Sequence, residues 1–439
     1  MVVDLLSAMV TQVRTPQRDE MDAYYRALPF ANGLPQWEPA DAAWHGGPEP
    51  WPPRRTPATA EQLEEWAEAD VKDESFHPIA TFADGACVGA SAAISFDVTV
   101  PGGGTVKIAG VTSTGVIATH RRRGYLRRMM QAMFDAALDR GEPLAMLSAS
   151  EGSIYGRFGF SPATFRTRWE LDRHEAAFLP AAPDPGSLEL VDAAQAKQFW
   201  PVVHAEVRAH RTGELTPLPG HWDSLSDTAD GTNGPLRYLA HRDQHGEVDG
   251  IANFRLPWSS TAVNAGTLVV EALEAANPTA YRALWSLLVD FDLTRTIVAP
   301  GRSRDEPLRW MLANPRAMRI TRQSDNLWAR LLDVPRALTQ RSYDTVGEVA
   351  FTIDDDQMCP ANNRTWLLRT GGTSVTCVAT DQPADLTITI SALSSLYFGG
   401  MSAHDLMYAG RITPHADGAI AQLSRLFRID PEPHNSFGF

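Results

Sequence analysis

Val116-Ile117-Ala118-Thr119-His120-Arg121-Arg122-Arg123-Gly124-Tyr125-Leu126-Arg127 carries a strand through a basic turn into the start of a helix. The first backbone N–H groups of a helix have no intrahelical partner, and the helix dipole places partial positive charge beside them. A glycine there admits an anion close to the backbone, and arginines add charge-assisted bonds. Alone, such a turn is an ordinary solvated entry to an amphipathic helix. Its flanks change that weighting. From about Gly124 to Arg140, Leu126, Met129, Met130, Met133, Phe134, Ala137 and Leu138 form one apolar stripe at helical spacing. Gly141 ends the helix, and Leu144–Ser150 (LAMLSAS) follows as a buried strand suited to parallel pairing. No GK[ST] follows the turn and no GxGxxG is present, so neither a P-loop nor a dinucleotide fingerprint fits.

On the N-terminal side, residues 79–84, 87–100 and 105–116 alternate like strands, with turns at Asp84-Gly85 and Pro101–Gly104, and predict an antiparallel meander. Before them, a helix capped by Thr15 with Pro16 at its first position is expected, and another at about Ala60–Val71 with Leu63 and Trp66 on its apolar face. Between these lies Pro35–Pro57 with Trp37, Trp44 and Trp51, read evenly as a pocket wall or as surface packing. Asp22, Trp37, Glu38 and Trp44 are candidates for an amine pocket, because acids and aromatics suit cations. On the C-terminal side, two strands, a helix from Pro278 to Asp292 and a strand at 294–300 repeat the strand-turn-helix-strand texture. A last block, opening at 327–343, puts strands at 347–353, 365–370, 373–380 and 384–390, with a turn at Gly371-Gly372, before helices at 393–397, 404–408 and 419–426. That is an α+β order.

The 439 residues suggest about three domains at roughly 150 residues each. A net charge of −14 argues against a nucleic-acid surface and favours cationic ligands. All basic residues but Lys72, Lys107 and Lys197 are arginine. Cys87, Cys359 and Cys377 are too few and too scattered for a disulfide framework or a CxxC metal site, which fits a reducing cytoplasm. The N-terminal MVVDLLSAMVTQV lacks a basic leader and a cleavage pattern, and no apolar stretch approaches the ~18 residues of a membrane span. The histidines show no HExxH or HxH spacing, so no metal site is expected. Asp354-Asp355-Asp356 reads as a solvated turn rather than a cation site.

Arg121-x-x-Gly124-x-Leu126 resembles the R-x-x-G-x-G/A pyrophosphate turn of the GNAT acetyltransferases, with leucine at the last small position. The segment Ser148-Ala149-Ser150-Glu151-Gly152-Ser153-Ile154-Tyr155-Gly156-Arg157-Phe158-Gly159-Phe160 and a terminal Phe439 follow in order. Together these resemble the Eis family of N-acetyltransferases. The resemblance implies α/β and α+β folds: tandem GNAT domains, each a mixed sheet with splayed parallel strands, at 1–166 and 167–319, then a sterol-carrier-protein-like α+β domain at 320–439. It implies that acetyl-CoA is held by Thr114, Gly115 and Val116, by Arg121, Arg122, Arg123, Gly124, Tyr125, Leu126 and Arg127, and by Ser150 and Glu151, with no metal. In the central domain Glu274-Ala275-Ala276-Asn277-Pro278 stands where a basic glycine turn is needed, so no acetyl-CoA is expected there.

The resemblance makes Tyr155 the general acid, a role that suits a free phenol, which titrates near ~10, facing a thiolate. The resemblance assigns the general base to the α-carboxylate of Phe439, with Phe437 and Phe439 suited to anchoring the tail in an apolar groove. Family members often carry an acid before the last phenylalanine, where this chain has Gly438. The expected activity is acetylation of small cationic amines, such as aminoglycosides or polyamines, by a cytoplasmic homo-oligomer, a hexamer by resemblance, with no nucleic acid or membrane partner. Two alternatives stand beside it: a protein lysine N-acetyltransferase, and a carrier protein whose GNAT domain is vestigial.

Overall fold

A computed structural model describes residues 11–32, 59–218, 220–222, 235–256, 266–371 and 374–439. The first sheet begins with β1 (Thr11–Arg14), β2 (Phe76–Ala83), β3 (Ala86–Thr99) and β4 (Thr105–Val116), antiparallel neighbours in that order. Between β1 and β2 come α1 (Met21–Asn32) and α2 (Ala60–Lys72). The helix start expected at Thr15 and Pro16 lies further on. A 3-10 turn at Arg18–Glu20 opens the helical segment, and a reciprocal capping box between Gln17 and Glu20 makes Gln17 the cap. On α2, Leu63 and Ala67 face the protein, whereas Trp66 is 48% exposed and meets Tyr25 edge-on.

The basic turn leads into α3 (Tyr125–Asp139) and then β5 (Leu144–Ser148), which pairs in parallel with β4. Met129, Met130, Met133, Phe134 and Ala137 are buried, as the stripe predicted. A short helix α4 (Gly152–Tyr155) and strand β6 (Ser161–Pro162) follow.

The second unit contains β7 (Phe165–Asp172), β8 (Ser187–Val191), α5 (Ala193–His210), β9 (Leu236–Arg242), β10 (Val248–Arg255), β11 (Gly266–Ala275), α6 (Pro278–Asp290), β12 (Thr294–Arg302), α7 (Leu308–Met311) and β13 (Met318–Asp325). Its sheet runs β13-β7-β12-β11-β10-β9-β8, and β11 and β12 are parallel across α6, as β4 and β5 are across α3. The divisions expected at 166/167 and 319/320 fall inside β7 and β13, which pair with each other in this sheet. The chain then crosses back. β14 (Leu327–Leu331), in the stretch expected to open the last block, inserts antiparallel between β5 and β6 of the first sheet.

The third unit holds α8 (Val334–Thr339), β15 (Gly347–Thr352), β16 (Thr365–Gly371), β17 (Ser374–Ala379), β18 (Leu386–Ile388), α9 (Ile390–Leu396), α10 (Ala403–Tyr408), β19 (Ile412–Pro414) and α11 (Ala419–Phe427). Its sheet is ordered β17-β16-β15-β18-β19. Every residue of α9 is buried, and its Ser394 and Ser395 hydroxyls bond Leu331 N (3.0 Å) and Pro162 O (2.7 Å) of the first sheet. One apolar cluster runs from Val98, Ile108 and Leu144 through Leu331 to Leu393 and Phe427, so the first and third units share a core. Cys87, Cys359 and Cys377 are unpaired thiols.

Asp356 is not the solvated residue expected. It is 2% exposed, and its carboxylate accepts from Arg330 of β14 at 2.5 Å, from Met358 N and Cys359 N, and from Asn362. Arg330 is 0% exposed and also donates to Phe158 O at 2.9 Å, tying the segment around Tyr155 to the third unit. Removing one member strands a buried charge. Asp356→Ala should therefore destabilise the protein by about 3–5 kcal/mol, measured as a lowered urea midpoint; a shift equivalent to less than about 1 kcal/mol would show that water already screens the pair.

Candidate active site

β4 and β5 pair only over Ile108–Gly110 and Leu144–Met146. Beyond that point they part around a cavity of about 1280 Å³, lined by Val111–Val116 on one side and Ser148, Ser150 and Glu151 on the other. The parting has a local cause. The β3–β4 register shifts between Ala90 and Ala92, and Ser113 sits at φ 51 in the left-handed region. A bulge of this kind bends and twists the strand that carries it. Ser91 fastens it through a 2.6 Å hydroxyl contact with Thr114.

The basic turn closes one end of this cavity. Arg121, Arg122, Gly124, Tyr125, Leu126 and Arg127 line it. Arg122 (φ 63) and Gly124 (φ 77) are both left-handed, a backbone curl of the type that gathers N–H groups into an anion cradle. Gly124 is the N-cap of α3 without a side-chain cap, and a Cβ there would meet nothing within 4 Å. The position therefore needs glycine for its φ, and the space in front of it is open. Arg121 donates to Val116 O at 3.2 Å, fixing the turn to the strand end. Arg123 departs from expectation: it is outside the lining and reaches back to Thr119 O at 3.5 Å. An open anion cradle joined to a slot between splayed strands fits the pyrophosphate and pantetheine arm of acetyl-CoA.

The third unit supplies a wall that no local pattern announced. Asp355, Gln357, Met358, Ile390 and Ser391 line the cavity, and α3 holds this loop through Gln131, which donates to Met358 O at 3.0 Å. These residues lie more than 200 positions from the turn they face, and sequence reasoning had no spacing rule to find them.

At the other end are Tyr155 and Phe439, both on the lining. Tyr155 closes α4, is 8% exposed and stands edge-on to Phe160 at 6.1 Å. Burial, and then the negative charge of Glu151, raise its pKa above the ordinary phenol value, so it is protonated at neutral pH. The Phe439 ring packs on Phe96 at 4.7 Å between centroids. Gly110 makes room for both, because a Cβ there would lie 2.6 Å from the Phe96 ring and 2.9 Å from that of Phe439. Phe439 is thus seated where β4 and β5 part. Phe437 packs against His221 at 4.3 Å, and Asn326 donates to Asn435 O at 3.0 Å.

Asp22 is exposed, pairs with Arg26 at 2.9 Å and is outside the lining, while Trp37, Glu38 and Trp44 lie outside the described residues. The turn before α6 carries Asn277 as N-cap and a buried Glu274 bonded to His204, an acid where α3 has arginines. Among the described residues no group of three or more His, Cys, Asp or Glu is placed to hold a metal ion, and no helix is long and apolar enough to cross a membrane.

Comparison with known proteins agrees with this architecture. Residues 51–163 and 217–337 each match the model of an acetyltransferase (GNAT) domain, and 334–436 that of a sterol carrier protein domain. An uncharacterized N-acetyltransferase of Streptomyces coelicolor is 35% identical over 98% of this chain and 100% of its own. N-acetyltransferase Eis of Mycobacterium tuberculosis is 31% identical over 80% of this chain and 86% of its own. The crystal structure of Eis1 from Mycobacterium abscessus is similar with a TM-score of 0.80 at 28% identity, covering 98% of this chain and 100% of that one.

Proposed function

The chain belongs to the Eis family of GNAT N-acetyltransferases, and from that premise we propose that it moves the acetyl group of acetyl-CoA to a primary amine of a small polycation, such as an aminoglycoside or polyamine. The observation that carries this reading is the meeting of three features on one cavity: the left-handed basic turn, Tyr155 and the chain terminus. Acetyl-CoA supplies an activated thioester. Arg121, Arg122, Arg127 and the N–H groups at the start of α3 hold its diphosphate, and the backbone N–H groups near Val116 polarise the carbonyl.

A primary amine resembles lysine, with a pKa near ~10.4, and arrives as an ammonium ion that cannot attack. The Phe439 carboxylate takes that proton, directly or through a water. Tyr155 gives its phenolic proton to the departing sulfur. As the amide forms, the nitrogen sheds a second proton, which returns the Tyr155 phenolate to a phenol, and the proton held by the Phe439 carboxyl passes to solvent, so both groups regain their starting states with one net proton released. The chain's net charge of −14 raises the local concentration of polycations without selecting one. The proposal includes assembly as a homohexamer, to be checked by light scattering.

A panel of aminoglycosides, polyamines and lysine-containing peptides, with free thiol as the readout, tests the reading. Turnover on small polyamines is expected. Thiol release with peptides alone would move the assignment to a protein lysine acetyltransferase, and no release with any amine would leave a carrier protein.

A further inference from the structure

A buried carboxylate of the second unit binds the C-terminal tail that leads into the active site. Glu214 follows α5 and is 1% exposed. Its loop is laced to β3, with Thr99 N donating to Glu214 O at 2.9 Å and Gly213 N to Thr99 O at 2.8 Å. The side-chain Oε2 accepts from the C-terminal tail: from Ser436 N at 3.0 Å, from Ser436 Oγ at 3.1 Å and from Asn435 Nδ2 at 3.5 Å. Just before these, His434 N donates to Thr212 O at 2.9 Å.

These bonds matter because residues after α11 form neither helix nor strand, so no backbone ladder holds them. An untied chain end frays. The Phe439 ring is seated on Phe96, but a ring contact leaves the carboxylate free to swing with the backbone at 437–439, where Gly438 adds freedom. Fixing the backbone at Ser436 confines that freedom to the three residues between this anchor and the ring contact. The neighbours of Glu214 form a shared polar core: Glu274 holds His204 Nδ1 at 3.0 Å, and His204 and His221 both touch the Phe437 ring. Burial first, and then the second carboxylate, Glu274, hold the Glu214 pKa above the ordinary carboxylate value against the opposing pull of His204 and the Ser436 bonds.

We propose that Glu214 is a positioning residue for the reaction, setting the terminal carboxylate of Phe439 in the cavity through its bonds to Ser436 and Asn435. This rests on reading that carboxylate as the general base. The second acetyltransferase-like unit then serves as a clamp on the last residues of the chain.

The test compares Glu214→Ala and Glu214→Gln in two backgrounds, the parent chain and a chain with one glycine added after Phe439. Displacing a catalytic group by about 1 Å costs on the order of 100-fold. Glu214→Ala is expected to lower kcat about 10- to 100-fold, with KM for acetyl-CoA within about twofold. Glu214→Gln, which keeps an acceptor oxygen for Ser436, should remain within about fivefold of the parent. In the extended chain, where the carboxylate has already moved, Glu214→Ala should cost nothing more. An equal loss in both backgrounds would show a general structural role and overturn the inference, as would full Glu214→Ala activity beside a crippled extended chain. Full turnover by the extended parent would overturn the base reading itself and take the inference with it. Should Glu214→Ala fail to fold, Ser436→Pro removes both Ser436 donors from the tail side and must reproduce the kcat loss.

Discussion

Replacing Tyr155 with phenylalanine should lower kcat about 100-fold or more while leaving KM for acetyl-CoA within about twofold. The substitution removes one oxygen and keeps the ring, so the packing against Phe160 survives and the fold is not at issue. On the proposed mechanism, what is lost is the proton that meets the sulfur as the thioester breaks. Sulfur leaves best when protonated late in the step, and a donor whose pKa lies slightly above that of the thiol, near ~8.5, stays charged with its proton until then. Burial and Glu151 raise the Tyr155 pKa above the ordinary value. The sign follows: the phenol holds its proton through neutral and mildly alkaline pH, so the alkaline fall in kcat that belongs to it lies above ~10. That limb should vanish in Tyr155→Phe. A variant with parent kcat and an unchanged alkaline limb would remove Tyr155 from the mechanism.

Much of this site was legible in order along the chain. The basic turn, the apolar stripe of α3 and the LAMLS strand are local patterns, and local periodicity is what sequence displays best. The tyrosine segment was legible through its resemblance to the family's motif, with Gly156-Arg157-Phe158-Gly159 beside it, since a lone tyrosine on an apolar stretch reads first as packing. What stayed hidden depends on partners far apart in sequence. Asp356 read as solvent-facing because three successive aspartates normally are, and nothing nearby reveals that Arg330 enters the core opposite it. Leu327–Leu331 read as the start of a new block because its pattern suits any buried strand; only the sheet shows that it fills the gap between β5 and β6. The helix cap expected at Thr15 falls instead at Gln17, whose N–H donates to the Glu20 carboxylate at 2.8 Å, a side-chain contact that cap chemistry read residue by residue does not single out. Arg123 stood in the right motif, but a turn with left-handed residues on either side of it gives its neighbours different directions.

Adding a single glycine after Phe439 should lower kcat by about 100-fold or more, with acetyl-CoA binding retained. The added residue turns the Phe439 carboxylate into a neutral amide and carries the new carboxylate about 3.8 Å further along the chain. That step is large against the tolerance of proton transfer, which needs the base within about 3.2 Å of the proton's heavy atom or one water away. The ring of Phe439 keeps its place on Phe96 and over Gly110, so the tail stays seated and the loss reports the carboxylate rather than the anchor. Phe439→Leu separates the two in the opposite sense. It keeps the carboxylate and trims the ring, and it should cost on the order of tenfold through looser placement. Free amine supplied at high pH, already deprotonated, should recover part of the activity of the extended chain and none of that lost in Tyr155→Phe. Equal rates for extended and parent chains across this pH range would move the base to another group on the cavity wall, where Glu151 and Asp355 are the carboxylates at hand.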